Sequence, residues 1–174
     1  MQLQHKECWY VLFVNTNQEE KVKEILQRTM GEEYKFIVPT RELRERKDGQ
    51  WRNVKRRLFP GYVLIKGIMN VDVYYKLKKT PGIIKLLRSE DEVLTVDERE
   101  LRVLKILIDN EDNNIGISKL YKQNDNIRIT AGPLVGLEGQ ILKVDSRKGR
   151  AKVNLSFMNE ERVVELGVEL VDKI

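Results

Sequence analysis

Side chains able to do covalent or metal chemistry are scarce in this chain. There is one cysteine, Cys8, and one histidine, His5. A thiolate–imidazole pair would need the fold to order a histidine that lies only three residues before the cysteine. A metal site would need further His, Cys or carboxylate ligands converging on the same point. A single cysteine excludes an internal disulfide framework. Neither GxGxxG nor GxxxxGK[ST] occurs, so nothing cues a nucleotide cofactor. The expectation is therefore a non-enzyme, with no catalytic residue, no metal ligand and no cofactor.

The chemistry that is plentiful is cationic. Lys143, Arg147, Lys148, Arg150 and Lys152 fall within ten residues against one acid, Asp145, a local net charge of +4. Arg150 and Lys152 alternate with apolar residues and share the outward face of one strand, and Arg147-Lys148-Gly149 forms the tip of a hairpin beside them. Arg128, between Ile127 and Ile129, also points outward. Such a cluster suits a phosphate backbone, and arginine can in addition read a guanine edge bidentately. Two further stretches are basic. Residues 41–57 hold eight basic and three acidic side chains, and 76–88 hold five basic and no acidic ones.

A second kind of chemistry is apolar contact. Phe59, Pro60 and Tyr62 crowd three bulky groups around one bend, where the proline restrains its predecessor to an extended conformation. In the strand that follows, Tyr62 and Leu64 share one face and Val63 and Ile65 the other. One face suits a core. The other is either core as well or, if open, an aromatic patch of the kind that anchors interfaces.

Elements must hold these groups in place. Trp9 to Val14 reads as a buried strand. Thr16 with Glu19 reads as a capping box opening a helix along Val22, Ile25, Leu26 and Met30, with Gly31 as its stop. Tyr34 to Pro39 is a second strand. Asp48-Gly49 is the turn of a polar hairpin projecting from the domain. Tyr62 to Ile65 is a strand, Asn70 to Lys79 a short helix, and Ile83 to Leu87 a final strand. Thr95 with Glu98 is a second capping box, ahead of a helix through Leu101, Leu104, Leu107 and Ile108. The pattern predicts an α+β domain, helices flanking a largely antiparallel sheet, over residues 1–108. A polar linker follows at 109–122. Residues 123–174 contain five short strands, Ile127–Thr130, Gly139–Val144, Ala151–Phe157, Arg162–Leu166 and Val168–Val171, and are predicted to close into a small all-β barrel.

The composition fits folded domains, with 41% hydrophobic and 34% charged residues, a net charge of +5 and a pI near 9.2. No run approaches the roughly 18 to 20 apolar residues that cross a bilayer, and residues 1–9 lack a signal-peptide apolar region, so a cytoplasmic protein without membrane contact is expected.

Two blocks carry a resemblance. The first is Leu58-Phe59-Pro60-Gly61-Tyr62-Val63-Leu64-Ile65, with Trp9-Tyr10-Val11-Leu12 and Thr80-Pro81-Gly82-Ile83. The second is Gly132-Pro133-Leu134-Val135-Gly136-Leu137-Glu138-Gly139. Together, over nearly the whole chain, they resemble the NusG family of bacterial transcription factors, whose N-terminal (NGN) domain precedes an SH3-like KOW barrel. The resemblance implies binding to the clamp helices of the largest RNA polymerase subunit through Phe13, Phe59, Pro60, Tyr62 and Ile83. Family members that couple to Rho or the ribosome carry aromatic residues in the barrel loop, where this chain has Leu134 and Leu137. A His-Thr-Thr-Thr motif of specialised members is replaced by Val73-Tyr74-Tyr75-Lys76. The chain therefore looks most like a specialised antitermination paralog of the LoaP type. In that reading the KOW domain binds nascent RNA, as a structured hairpin, through Arg128, Lys143, Arg147, Lys148, Arg150 and Lys152, and the 76–88 stretch faces non-template DNA. The alternatives are a general elongation factor coupling polymerase to Rho or the ribosome, an rRNA-binding KOW protein, and an RNA-modifying enzyme.

Overall fold

The computed structural model describes residues 6–90, 92–108 and 111–172; His5 and the start of the expected linker lie outside them. In chain order the first elements are β1 (Cys8–Val14), α1 (Glu19–Thr29), β2 (Lys35–Ile37), β3 (Thr40–Lys47), β4 (Gln50–Arg57), β5 (Tyr62–Gly67), α2 (Val71–Lys79), β6 (Ile83–Leu86) and α3 (Glu98–Leu107). Then come β7 (Asn114–Ile115), β8 (Ser118–Gln123), β9 (Asn126–Ala131), a 3-10 turn at Glu138–Gln140, β10 (Ile141–Asp145), β11 (Arg150–Phe157) and β12 (Glu160–Leu170). The chain forms two compact units: residues up to Val38 with Phe59–Glu98, and Pro39–Leu58 with Arg99 onward.

In the first unit four strands pair antiparallel in the order β2-β5-β1-β6. Alternation puts Tyr10, Leu12 and Val14 of β1 and Val63 and Ile65 of β5 into one core with Val22 and Leu26 of α1 and Val73 and Leu77 of α2. Burial pushes the Tyr10 phenol up to about 12, with Cys8 adding to the shift. Helix α2 starts as the sequence leads one to expect, the Asn70 side chain accepting a hydrogen bond from Val73 N at 2.9 Å. The two expected capping boxes do not form. Gln18, not Thr16, is the N-cap of α1 and makes no side-chain cap, and the Glu19 carboxylate is turned inward to the Gly61 N–H. Thr95 pairs with Tyr10 in an isolated bridge, and α3 begins only at Glu98.

In the second unit β3 and β4 form a hairpin whose turn residues Asp48 and Gly49 have φ of 52° and 76°, the positive values a two-residue turn demands. The base of this hairpin does not project, as expected, but packs. Strand β7 adds parallel to β3 at Thr40 and Arg41, and β12 approaches β3 so closely that a Cβ on Gly167 would lie 2.3 Å from the Glu42 carbonyl oxygen. Glycine here permits backbone contact and does not mark a turn, so the two strands expected at 162–166 and 168–171 are one, β12.

Five strands run in the order β10-β11-β12-β8-β9, with β12 and β8 parallel. Strand β8 falls largely in the stretch expected to be linker. Its inward positions are Ser118 and Leu120, both buried, and a serine facing inward hides the period of two. Helix α3 joins this sheet through Glu100, 7% exposed, which accepts from Ser156 Oγ, Met158 N and Asn159 N, each at 3.0 Å. No described helix is long and apolar enough to cross a membrane.

Candidate functional surfaces

The aromatic bend is built from three sides. Phe13 and Tyr62 are cross-strand partners on β1 and β5, their ring centroids 5.7 Å apart at 49°. Gly61, at φ 87°, donates to Glu19 Oε1 at 2.7 Å, and its carbonyl accepts from Val14 N at 2.8 Å. A side chain on Gly61 would also press on the Phe13 ring, with 3.2 Å between Cβ and Cε2. Ile83 joins by pairing with Val14. The structure thus brings Phe13, Pro60, Tyr62 and Ile83 together, Pro60 exposed and the others half-buried. Phe59 differs from expectation: at 5% exposure it supports the surface from within and does not line it, and Leu64, at 1%, is core.

The basic cluster is also assembled, with one loss. Asp145 Oδ1 accepts from Arg147 N and Lys148 N, both at 3.1 Å, which shapes the β10–β11 turn. The hydrogen bond from Lys148 N is the first cause holding this carboxyl below its ordinary range. Lys143 and Lys152 face each other across the ladder, and Lys143, Arg147, Lys148 and Lys152 are exposed. Arg150 is engaged in the protein instead. Its guanidinium reaches Glu165 Oε2 at 2.8 Å, Arg44 O at 3.4 Å and Glu45 Oε1 at 4.0 Å. Nearby Arg41, its pKa lowered chiefly by burial, donates to the Glu165 carbonyl at 2.9 Å. Arg128 is exposed but sits on β9, at the opposite end of the five-strand order from β10.

A groove of about 480 Å³ runs between α2 and β6, lined by Tyr74, Leu77, Ile83 and Ile84 with the cations Lys78, Lys85 and Arg88. Lys76 of the same stretch is held elsewhere, on the Thr29 carbonyl. In the 132–139 loop Leu134 and Leu137 are buried, 1% and 7% exposed, so neither offers an open apolar surface; Val135 is the exposed one. Among the described residues no three His, Cys, Asp or Glu side chains gather to hold a metal.

Two residues escaped the sequence reading, Glu100 and Trp51, and Glu19, expected in a capping box, instead holds the Gly61 N–H. Trp51 is 46% exposed on β4, with the Arg44 guanidinium over its ring at 5.5 Å. The signal available for it was an indole in a strand with no apolar alternation around it.

Comparison with known proteins bears on these surfaces. The family model "Transcription termination factor nusG" matches residues 7–105, and a KOW motif matches 123–154. The transcription termination/antitermination protein NusG of Haemophilus influenzae is 29% identical, covering 97% of this chain and 95% of its own length. That of Bacillus subtilis is 28% identical, over 95% and 98%. A solved structure described as domain interaction in Thermotoga maritima NusG superposes with a TM-score of 0.62 at 24% identity, covering 93% of this chain and 94% of that one, a likeness of fold.

Proposed function

The chain belongs to the NusG family, and from that premise we propose that it regulates transcript elongation by gripping the clamp helices of the largest RNA polymerase subunit. Residues 1–108 are read as the polymerase-binding domain and 123–174 as the KOW domain, an SH3-like barrel. The observation that supports this reading best is the half-exposed Phe13–Tyr62 ring pair, on a bend braced from beneath by Glu19. A rigid aromatic edge of this kind suits an apolar helix pair. Pro60 and Ile83 extend the edge and Phe59 supports it. Tyr62→Ala is expected to weaken polymerase binding about thirtyfold, the loss of roughly 2 kcal/mol at an aromatic anchor. Titration of purified polymerase with labelled protein checks this, and an unchanged Kd would remove the surface from consideration.

The second half of the reading is contact with nascent RNA by the β10–β11 turn, as in an antitermination paralog of the LoaP type, with the Lys78, Lys85 and Arg88 groove beside non-template DNA. Exposed Arg147, Lys148, Lys143 and Lys152 supply the phosphate contacts, Arg128 contributes from a separate strand, and Arg150 serves as a brace. Burial of Leu134 and Leu137 supports RNA over a Rho or ribosome contact at that loop. Arg147→Glu with Lys148→Glu is expected to lower affinity for a structured RNA at least tenfold and flatten its salt dependence, with polymerase binding unchanged. Retained RNA affinity in that variant rejects the turn as the RNA surface.

A further inference from the structure

The outward face of the β3–β4 hairpin and the β10–β11 turn form one surface. Cross-strand register puts Arg46 beside Trp51 and Arg44 beside Asn53 on one face of the hairpin. The other face carries Leu43, buried, and Glu45, whose carboxylate is held by Arg56 in two bonds of 2.9 and 2.6 Å. Glu45 thus turns away from the indole and is neutralised, while Asp48 lies in the turn itself. The turn meets the hairpin at Arg44: Arg150 donates to the Arg44 carbonyl at 3.4 Å, and the Arg44 Cδ would lie 3.9 Å from a Cβ on Gly149. Lys148, the residue before that glycine, is exposed.

We propose that Trp51, Arg44 and Arg46 form a stacking platform for single-stranded nucleic acid whose backbone continues onto Lys148 and Arg147. The proposal rests on the reading of the β10–β11 turn as an RNA surface and adds to it a base-binding element on a different part of the chain. An indole 46% exposed, with one guanidinium stacked on it, leaves ring area for a base, and its cationic neighbours lie where the flanking phosphates pass. Stacking of this kind needs an unstacked base, so the ligand is a looped or single strand and not a regular duplex.

The protein provides its own probe. Trp9 is buried at 8% exposure, so the exposed indole that a base can reach is Trp51. Titration with a 12-nucleotide oligouridylate is expected to quench tryptophan fluorescence, and the deoxy oligomer of the same length tests whether the 2′-hydroxyl matters. A blunt duplex of that length is expected to compete poorly. Trp51→Ala should weaken oligouridylate binding about tenfold, measured by anisotropy of a labelled strand, and Trp51→Phe should restore most of it. Unchanged affinity in Trp51→Ala, or equal competition by duplex, overturns the platform. If Arg147→Glu with Lys148→Glu loses RNA while Trp51→Ala does not, the turn stands as the RNA surface and only the platform fails. If the charge reversal has no effect while Trp51→Ala weakens binding, the platform stands and the turn fails.

Discussion

Glu100→Ala is expected to lower the unfolding free energy by about 2 to 4 kcal/mol, a large share of what a small domain has. One carboxylate closes the β11–β12 turn: Oε1 accepts from Ser156 Oγ and Asn159 N, and Oε2 from Met158 N. Alanine leaves three donors without their acceptor where the residue is 7% exposed. Met158 and Asn159 have positive φ, 53° and 61°, a conformation asparagine tolerates but one that methionine adopts at a cost its surroundings must offset. Glutamine should not rescue, because one of its two termini becomes an NH₂ group aimed at an N–H or O–H donor. Urea denaturation of the full chain, with amide exchange at Met158 and Asn159, measures both effects. A loss under 0.5 kcal/mol in Glu100→Ala would reduce the carboxylate to a surface bystander.

The second large effect is expected at Glu19. It is fully buried, the first residue of α1, and accepts from Gly61 N at 2.7 Å. Glu19→Ala removes that acceptor from a dry site and opens a void under the aromatic bend, at an expected cost of about 3 kcal/mol. Tyr62 follows Gly61 in the chain and Phe13 touches it, so the ring pair should loosen and polymerase affinity fall with stability. Glu19→Gln keeps the acceptor and the volume but loses a negative charge at a helix N-terminus, worth up to about 1 kcal/mol, so it should fall between the two. Coincident urea midpoints for wild type and Glu19→Ala would show that the bend is held by other contacts.

Both residues show where reading the sequence stops. A buried glutamate has the same letter as a solvated one, and its acceptors are needed 42 and 56 to 59 positions away. Periodicity located β1, α1, α2, β6 and the Asp48-Gly49 turn, since those signals are local. It missed β8, where a serine takes an inward position, and split β12 at Gly167, where the need for glycine comes from another strand. Composition found the cations of the β10–β11 turn and could not separate Arg150 from them. Its partners Glu165 and Glu45 lie on different strands. The grouping of Phe13 and Ile83 with Phe59, Pro60 and Tyr62 was legible only through the family resemblance, and burial of Phe59 divided it into open and supporting members.

The β3–β4 hairpin is constrained in register and not in length. A Cβ added at its tip residue Gly49 would meet nothing within 4 Å, so the arms have room to lengthen during divergence. Side chains alternate along each arm and cross-strand partners share a face, so an extension that adds equal numbers of residues to both arms at the tip keeps Trp51 on the same side as Arg44, while a one-residue slip of one arm against the other carries it to the side of Leu43. What preserves the outward chemistry of this hairpin is therefore that its two arms change together, whatever the number of residues added.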